Sequence, residues 1–144
     1  MVTLKDITAA VNTKIEENFP EIKIETRDIT EGFDRPSFFT DIDYARKGSF
    51  MDSAVERSMT VRIHYFASNR NKHRLELLDV QEKLEDMFFQ TLEIKDQFIV
   101  HINETNVEKL EGGIIEFSFD INYIEELEIE DPSELMDGIE VSIR

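Results

Sequence analysis

The sequence predicts an α+β fold: an antiparallel-rich β-sheet of about five strands with two helices packed on one face. Three observations carry this reading. Several segments alternate apolar and polar residues at the strand period. Two segments repeat apolar residues at helical spacing. Their order is α-β-β-β-α-β-β, followed by an acidic C-terminal extension. One-sided strands and amphipathic helices must bury their apolar faces against each other, which puts both helices on one side of the sheet.

The elements follow in chain order. Thr3 precedes apolar residues at Leu4, Ile7, Val11 and Ile15, and Asp6 stands three positions after it, a variant of the capping box. The spacing predicts a helix over about residues 3–18, stopped before Pro20. "EIKIET" alternates with Ile22 and Ile24 on one face, and "TEGFDRP" reads as a turn. "SFFTDIDYA" places Phe38, Thr40, Ile42 and Tyr44 on a core face, opposite Ser37, Phe39, Asp41 and Asp43. "RKGSFMDSAVE" reads as a long loop. "SMTVRIHYF" then alternates Met59, Val61, Ile63 and Tyr65 against Thr60, Arg62, His64 and Phe66. Ser68 or Asn69 can cap a second helix reaching about Thr91, with Leu77, Val80, Leu84, Met87 and Phe88 on its apolar face. "QFIVHINETNVEKL" and "GIIEFSFDINYI" flank "EGG" as a second hairpin. Its last strand sets Ile115, Phe117, Phe119, Ile121 and Tyr123 against Glu116, Ser118, Asp120 and Asn122.

With 144 residues the chain has room for one domain with one core. No apolar run approaches the ~18 residues a membrane helix needs, and "MVTLKDITAAV" lacks the basic start and apolar centre of a signal peptide. The absence of cysteine excludes disulfides, thiolate metal sites and cysteine nucleophiles, and the cytoplasm of the producing cell is the expected place of synthesis. A net charge of −16 repels phosphate backbones, so no direct nucleic-acid binding is expected. The charge is concentrated at the end: Glu125 to Arg144 holds eight acids and one base. The division expected is a domain over 1–126 and an extension over 127–144, whose "GIEVSI" could add a short strand.

No motif points to catalysis. Asp41 and Asp43 share a strand face, but a cation needs oxygen ligands converging from several segments, so a solvated or interface face is the better reading. His64, His73 and His101 lie on separate segments without paired ligand spacing. "EGG" is a turn and not a phosphate loop, and Ser37 and Ser118 lack a nucleophile elbow. No catalytic, cofactor or metal residue is assigned. What stands out is Phe39 and Phe66 on otherwise polar faces of adjacent strands, beside Arg62 and Asp41. Aromatic anchors with charged neighbours are the composition of a protein interface. The alternative is that the C-terminal tail folds back over them.

The whole pattern resembles the phage tail terminator proteins of prophages and phage-like particles of Gram-positive bacteria. The opening helix leads to "NFPEIKI"; "GFDRPSFF", "VRIHYF", "LLDVQEKLEDMF" and "ETNVEKLEGGIIEFSFDIN" follow in the family's order and spacing, over about residues 1–126. The acidic extension after Glu126 departs from that pattern. The resemblance implies a structural protein: a ring, usually a hexamer, that sits on the last tail-tube ring, stops tube polymerisation and presents a surface to the head–tail connector or caps a headless tail. In contractile tails it implies sheath contact as well. On this reading the subunit interface comprises Phe39, Asp41, Asp43, Arg62, His64 and Phe66. The loop of Arg46, Lys47, Phe50 and Met51, with Arg57, would reach a neighbour or the tube end. A small α+β enzyme subunit, or a binding module that dimerises through its sheet, stays open beside it.

The acidic tail is expected to be a partner-binding arm or a cover. Deleting Pro132 to Arg144 should leave a folded protein with altered assembly; loss of the far-ultraviolet circular dichroism signal on deletion would instead make "GIEVSI" an integral strand.

Overall fold

The computed structural model describes residues 1–25, 34–69, 71–95 and 97–127. The chain opens with α1 (Leu4–Asn18), and the capping box is formed as the sequence predicts. Thr3 Oγ1 accepts from the Asp6 amide at 3.1 Å, and Asp6 Oδ2 accepts from the Thr3 amide at 2.9 Å. These two bonds satisfy donors that a helix start otherwise leaves unpaired. Asp6 also pairs with Lys95 Nζ at 2.9 Å, tying the helix start to a distant turn. Ile7, Val11 and Ile15 are buried on one stripe. After Phe19 the short strand β1 (Lys23–Glu25) follows. The turn read from "TEGFDRP" lies outside the described residues as far as Phe33.

Two long strands come next, β2 (Ser37–Phe50) and β3 (Ala54–Phe66). The long loop expected between them is absent. Arg46 to Glu56 continues the ladder as a ribbon, closed by Met51, Asp52 and Ser53. A bulge replaces the missing irregularity: Asp43 pairs with Thr60 and Arg46 with Ser58, so Tyr44 and Ala45 together face Met59. Tyr44 takes a positive φ of 55°. The extra residue turns the strand's alternation over. Tyr44 therefore leaves the core face to which its spacing assigned it and is 73% exposed.

Helix α2 (Arg74–Met87) starts later than expected. Asn69 Oδ1 accepts from the amides of Asn71 at 2.8 Å and Lys72 at 3.1 Å, so this side chain shapes the turn before the helix instead of capping it. Ser68 is used likewise: its amide and hydroxyl donate to Glu76 at 2.8 and 2.7 Å, and the Tyr65 hydroxyl donates to the same carboxylate at 2.5 Å. Burial works against the charge on Glu76, but these bonds outweigh it and hold its carboxyl below the usual range.

The helix ends at Phe88, and Gln90 has φ 69°. The segment read as the helix end and a single strand is instead three short strands. β4 (Thr91–Glu93) pairs with β5 (Ile99–His101) in a small separate sheet, and β6 (Thr105–Leu110) joins the main one. The final strand, β7 (Ile114–Glu126), completes the order β1-β2-β3-β7-β6, antiparallel except for β1 with β2.

One core lies between this sheet and the helices. Phe38, Val61, Ile63, Phe117, Phe119 and Ile121 meet Ile7, Val11, Ile15, Leu77, Val80 and Leu84 there. The Phe88 ring lies 5.1 Å from that of Phe119 and 5.9 Å from that of Phe117. The β6–β7 turn is seated on the approach to α2. Ala67 donates its amide to the Gly113 carbonyl at 2.8 Å. Gly113 has φ 74°, and a Cβ there would meet His73 Cδ2 at 2.9 Å, so glycine is required on both counts.

Two outcomes follow from this packing. Phe119→Ala should cost roughly 3–5 kcal/mol of unfolding free energy, the range for an aromatic deleted from a close-packed core; an unchanged denaturation midpoint would mean the facing is wrong. Asp6 titrates at about 2, lowered from 3.8 chiefly by the Thr3 amide and then by Lys95. A depressed carboxyl stabilises the fold above its unfolded value and loses that contribution as pH falls towards the folded one. The melting-temperature gap between wild type and Asp6→Asn should therefore be full above about pH 5 and shrink between pH 4 and 2.

Candidate assembly interface

The helices cover one face of the sheet and leave the other as a polar surface. Register sets its rows. Phe39, His64 and Glu116 lie side by side; so do Asp41, Arg62 and Ser118; and so do Asp43, Thr60 and Asp120. Cross-strand neighbours of this kind share a face and interact directly.

Arg62 is the hub. Its Nε donates to Asp43 Oδ2 at 2.7 Å and its Nη1 to Glu116 Oε1. The guanidinium also lies 5.6 Å from the centre of the Tyr44 ring, which the bulge has brought to this face. The bond to Glu116 raises the Arg62 guanidinium above its ordinary value; burial acts against this, and Asp43 adds to it. His64 Nε2 lies 3.5 Å from Glu116 Oε2, and Thr60 Oγ1 donates to Asp120 Oδ1 at 2.6 Å. Asp41 Oδ1 accepts from the Ile42 amide at 2.9 Å. The two aspartates are thus engaged separately and do not converge, and no group of three metal-ligating side chains occurs among the described residues.

The two phenylalanines have different surroundings. Phe39 is half-buried, its ring 6.1 Å from that of His64. Phe66 is 1% exposed, and its ring lies nearly parallel to His64 at 6.5 Å. Both faces of the sheet are therefore closed at Phe66, and Phe39 is the aromatic of the pair that keeps an accessible surface. Beyond it in the sheet, Glu25 is buried and accepts from the Asp34 amide at 3.1 Å, with Lys23 Nζ 3.7 Å away.

Among the residues expected to reach outward, Arg46, Lys47, Phe50 and Met51 are exposed on the ribbon. Arg57 is separated from Arg46. Lys47 pairs with Arg57 and Arg57 with Tyr123 on the helix side of the sheet, whereas Arg46 pairs with Ser58 on the polar side. The three bases are thus divided between two faces.

Sequence reasoning missed Glu116 and Tyr44 as partners of Arg62, and Asp120 as the partner of Thr60. The alternation of β7 named Glu116 and Asp120 as outward-facing, but only the β3–β7 register sets Glu116 within reach of Arg62 and Asp120 opposite Thr60. Nothing in the local pattern announces the bulge that delivers Tyr44.

The arrangement is an ordered, charge-paired surface around a part-exposed aromatic. No curated protein matches the chain. A family model described as phage tail terminator protein matches residues 6–134, which takes in nearly all of α1, every other element of the fold and the first residues of the acidic extension. The chain belongs to the phage tail terminator protein family.

Proposed function

We propose that the protein forms a ring, hexameric by resemblance, on the last ring of the tail tube, where it stops polymerisation. The ring then presents a surface to the head–tail connector, or caps the tail of a headless particle; in a contractile tail it also meets the sheath. The family is one of structural proteins of the virion tail, which act through other tail proteins. Neighbouring subunits meet through the polar sheet face, with Phe39 as the anchor and Asp41, Asp43, Arg62 and His64 setting the register. The 1–126 domain builds the ring, and the extension from 127 modulates what it contacts.

The observation that supports this most is the half-exposed Phe39 ring beside a charge-paired Arg62. Charged neighbours of this kind fix orientation more than they add affinity, and a central aromatic supplies affinity.

Phe39→Asp should abolish ring formation and tail capping while the monomer keeps its circular dichroism spectrum. An anchor aromatic contributes ~2 kcal/mol or more at an interface, and here the loss is repeated at every contact of the ring. Electron microscopy of complemented tails is the readout; tails of normal length topped by intact mutant rings would refute the assignment.

A further inference from the structure

Two strand segments of the main sheet, unpaired on their outer side among the described residues, carry opposite charge and stand at the same height. β6 pairs with β7 only as far as Phe119, so β7 from Asp120 to Glu126 has β3 on one side and no ladder partner on the other among the described residues. Among the described residues β1 pairs with β2 over Ser37–Phe39, and α1 flanks the next residues, where Thr40 Oγ1 donates to Asn12 at 2.8 Å. From Tyr44 to Phe50 the outer side of β2 is likewise unpaired among the described residues. Residues 44–53 are all exposed, although a strand laid on a core should bury alternate residues. Tyr44, Phe50 and Met51 expose apolar surface on this ribbon, Met51 at 77%. A long open edge of this sort is a template for another strand.

We propose that these two edges pair between copies of this chain, β2 of one subunit adding alongside β7 of the next, and that this backbone ladder closes the ring. The inference rests on the ring reading above and adds a contact distinct from the sheet face: Phe39 belongs to the first part of β2, the open edge to its second part. Three features select a second copy as the occupant.

The first is charge. Tyr44 to Phe50 carries Arg46 and Lys47 and no acid, in a chain of net charge −16; Asp120 to Glu126 carries Asp120, Glu125 and Glu126 and no base. Each edge repels its own kind and attracts the other, so two-fold pairing of like edges is disfavoured and head-to-tail pairing is selected. The second is level. Arg46, Ser58 and Asn122 form one cross-sheet row, and Phe50, Ala54 and Glu126 another. Joining edges at one level repeats the subunit by rotation without a rise, which closes a ring instead of growing a filament. The third is direction. β2 and β7 both run antiparallel to β3, so they run parallel to each other, and a rotation about an axis along the strand direction brings them together as a parallel pair. Seven residues on each edge give a ladder about 23 Å long.

The test uses two full-length variants, R46E/K47E and D120K/E126K, with mass read by sedimentation and native mass spectrometry and folding by thermal melts. Wild type is expected to give a ring mass, and each variant alone a folded monomer. In an equal mixture the acidic β2 edge of one variant meets the basic β7 edge of the other, and an alternating ring should return. Rings formed by R46E/K47E alone, or two monomeric variants that fail to restore each other, would overturn the edge pairing while wild-type rings left the ring reading standing. A wild type that stays monomeric would overturn both. A wild type that forms rings only after residues 132–144 are removed would show its own tail on an edge and overturn a second copy as the resident occupant.

Discussion

The structure depends on β3 being paired along its whole length on both sides. All thirteen of its residues oppose β7, and all but Met59 have a direct partner on β2. Because pairing fixes which side chains share a row, this one strand sets both surfaces of the sheet. On the helix side it aligns Val61 with Phe119 and Ile63 with Phe117, the floor against which Phe88 packs. On the other side it aligns Arg62 with Asp41 and Ser118, which brings Asp43 and Glu116 within reach of one guanidinium. A slip of one residue on either side would bury the ion pairs and expose the phenylalanines, so the core and the candidate assembly face are specified together.

The periodic parts of this design were legible before any coordinates. α1 with its Thr3–Asp6 box, the inward set of β3 and β7, and the apolar stripe of α2 all follow from spacing, because each buries one side of a regular element. What escaped was non-periodic. The bulge at Tyr44 depends on a register shift against Met59, which is a property of two strands and not of one. The ribbon from Arg46 to Glu56 lacks the alternation that marks a strand on a core, since its residues 46–53 are all exposed, and it therefore read as a loop. The start of α2 was misplaced because Ser68 and Asn69, good caps by type, spend their bonds on Glu76 and on the preceding turn.

The candidate interface shows the same division. Alternation identified Phe39, Asp41, Asp43, Arg62 and His64 as outward-facing. It could not distinguish Phe39 from Phe66, because both occupy equivalent phases and differ only in what lies over them. Nor could it reveal that Arg62 is already satisfied within its own chain. An unpaired arginine would look for a carboxylate on a partner; this one already has its charge complement, Asp43 and Glu116, in its own chain.

That pairing has an entropic consequence. An arginine side chain carries about 2 kcal/mol of rotamer freedom, which an interface must ordinarily remove when it forms. With Asp43 and Glu116 gripping two nitrogens and the Tyr44 ring 5.6 Å away, Arg62 gives up much of that freedom when the monomer folds. A partner docking on this face, as proposed, would meet an arginine with less left to freeze, and more of the contact energy gained would be available for holding it there.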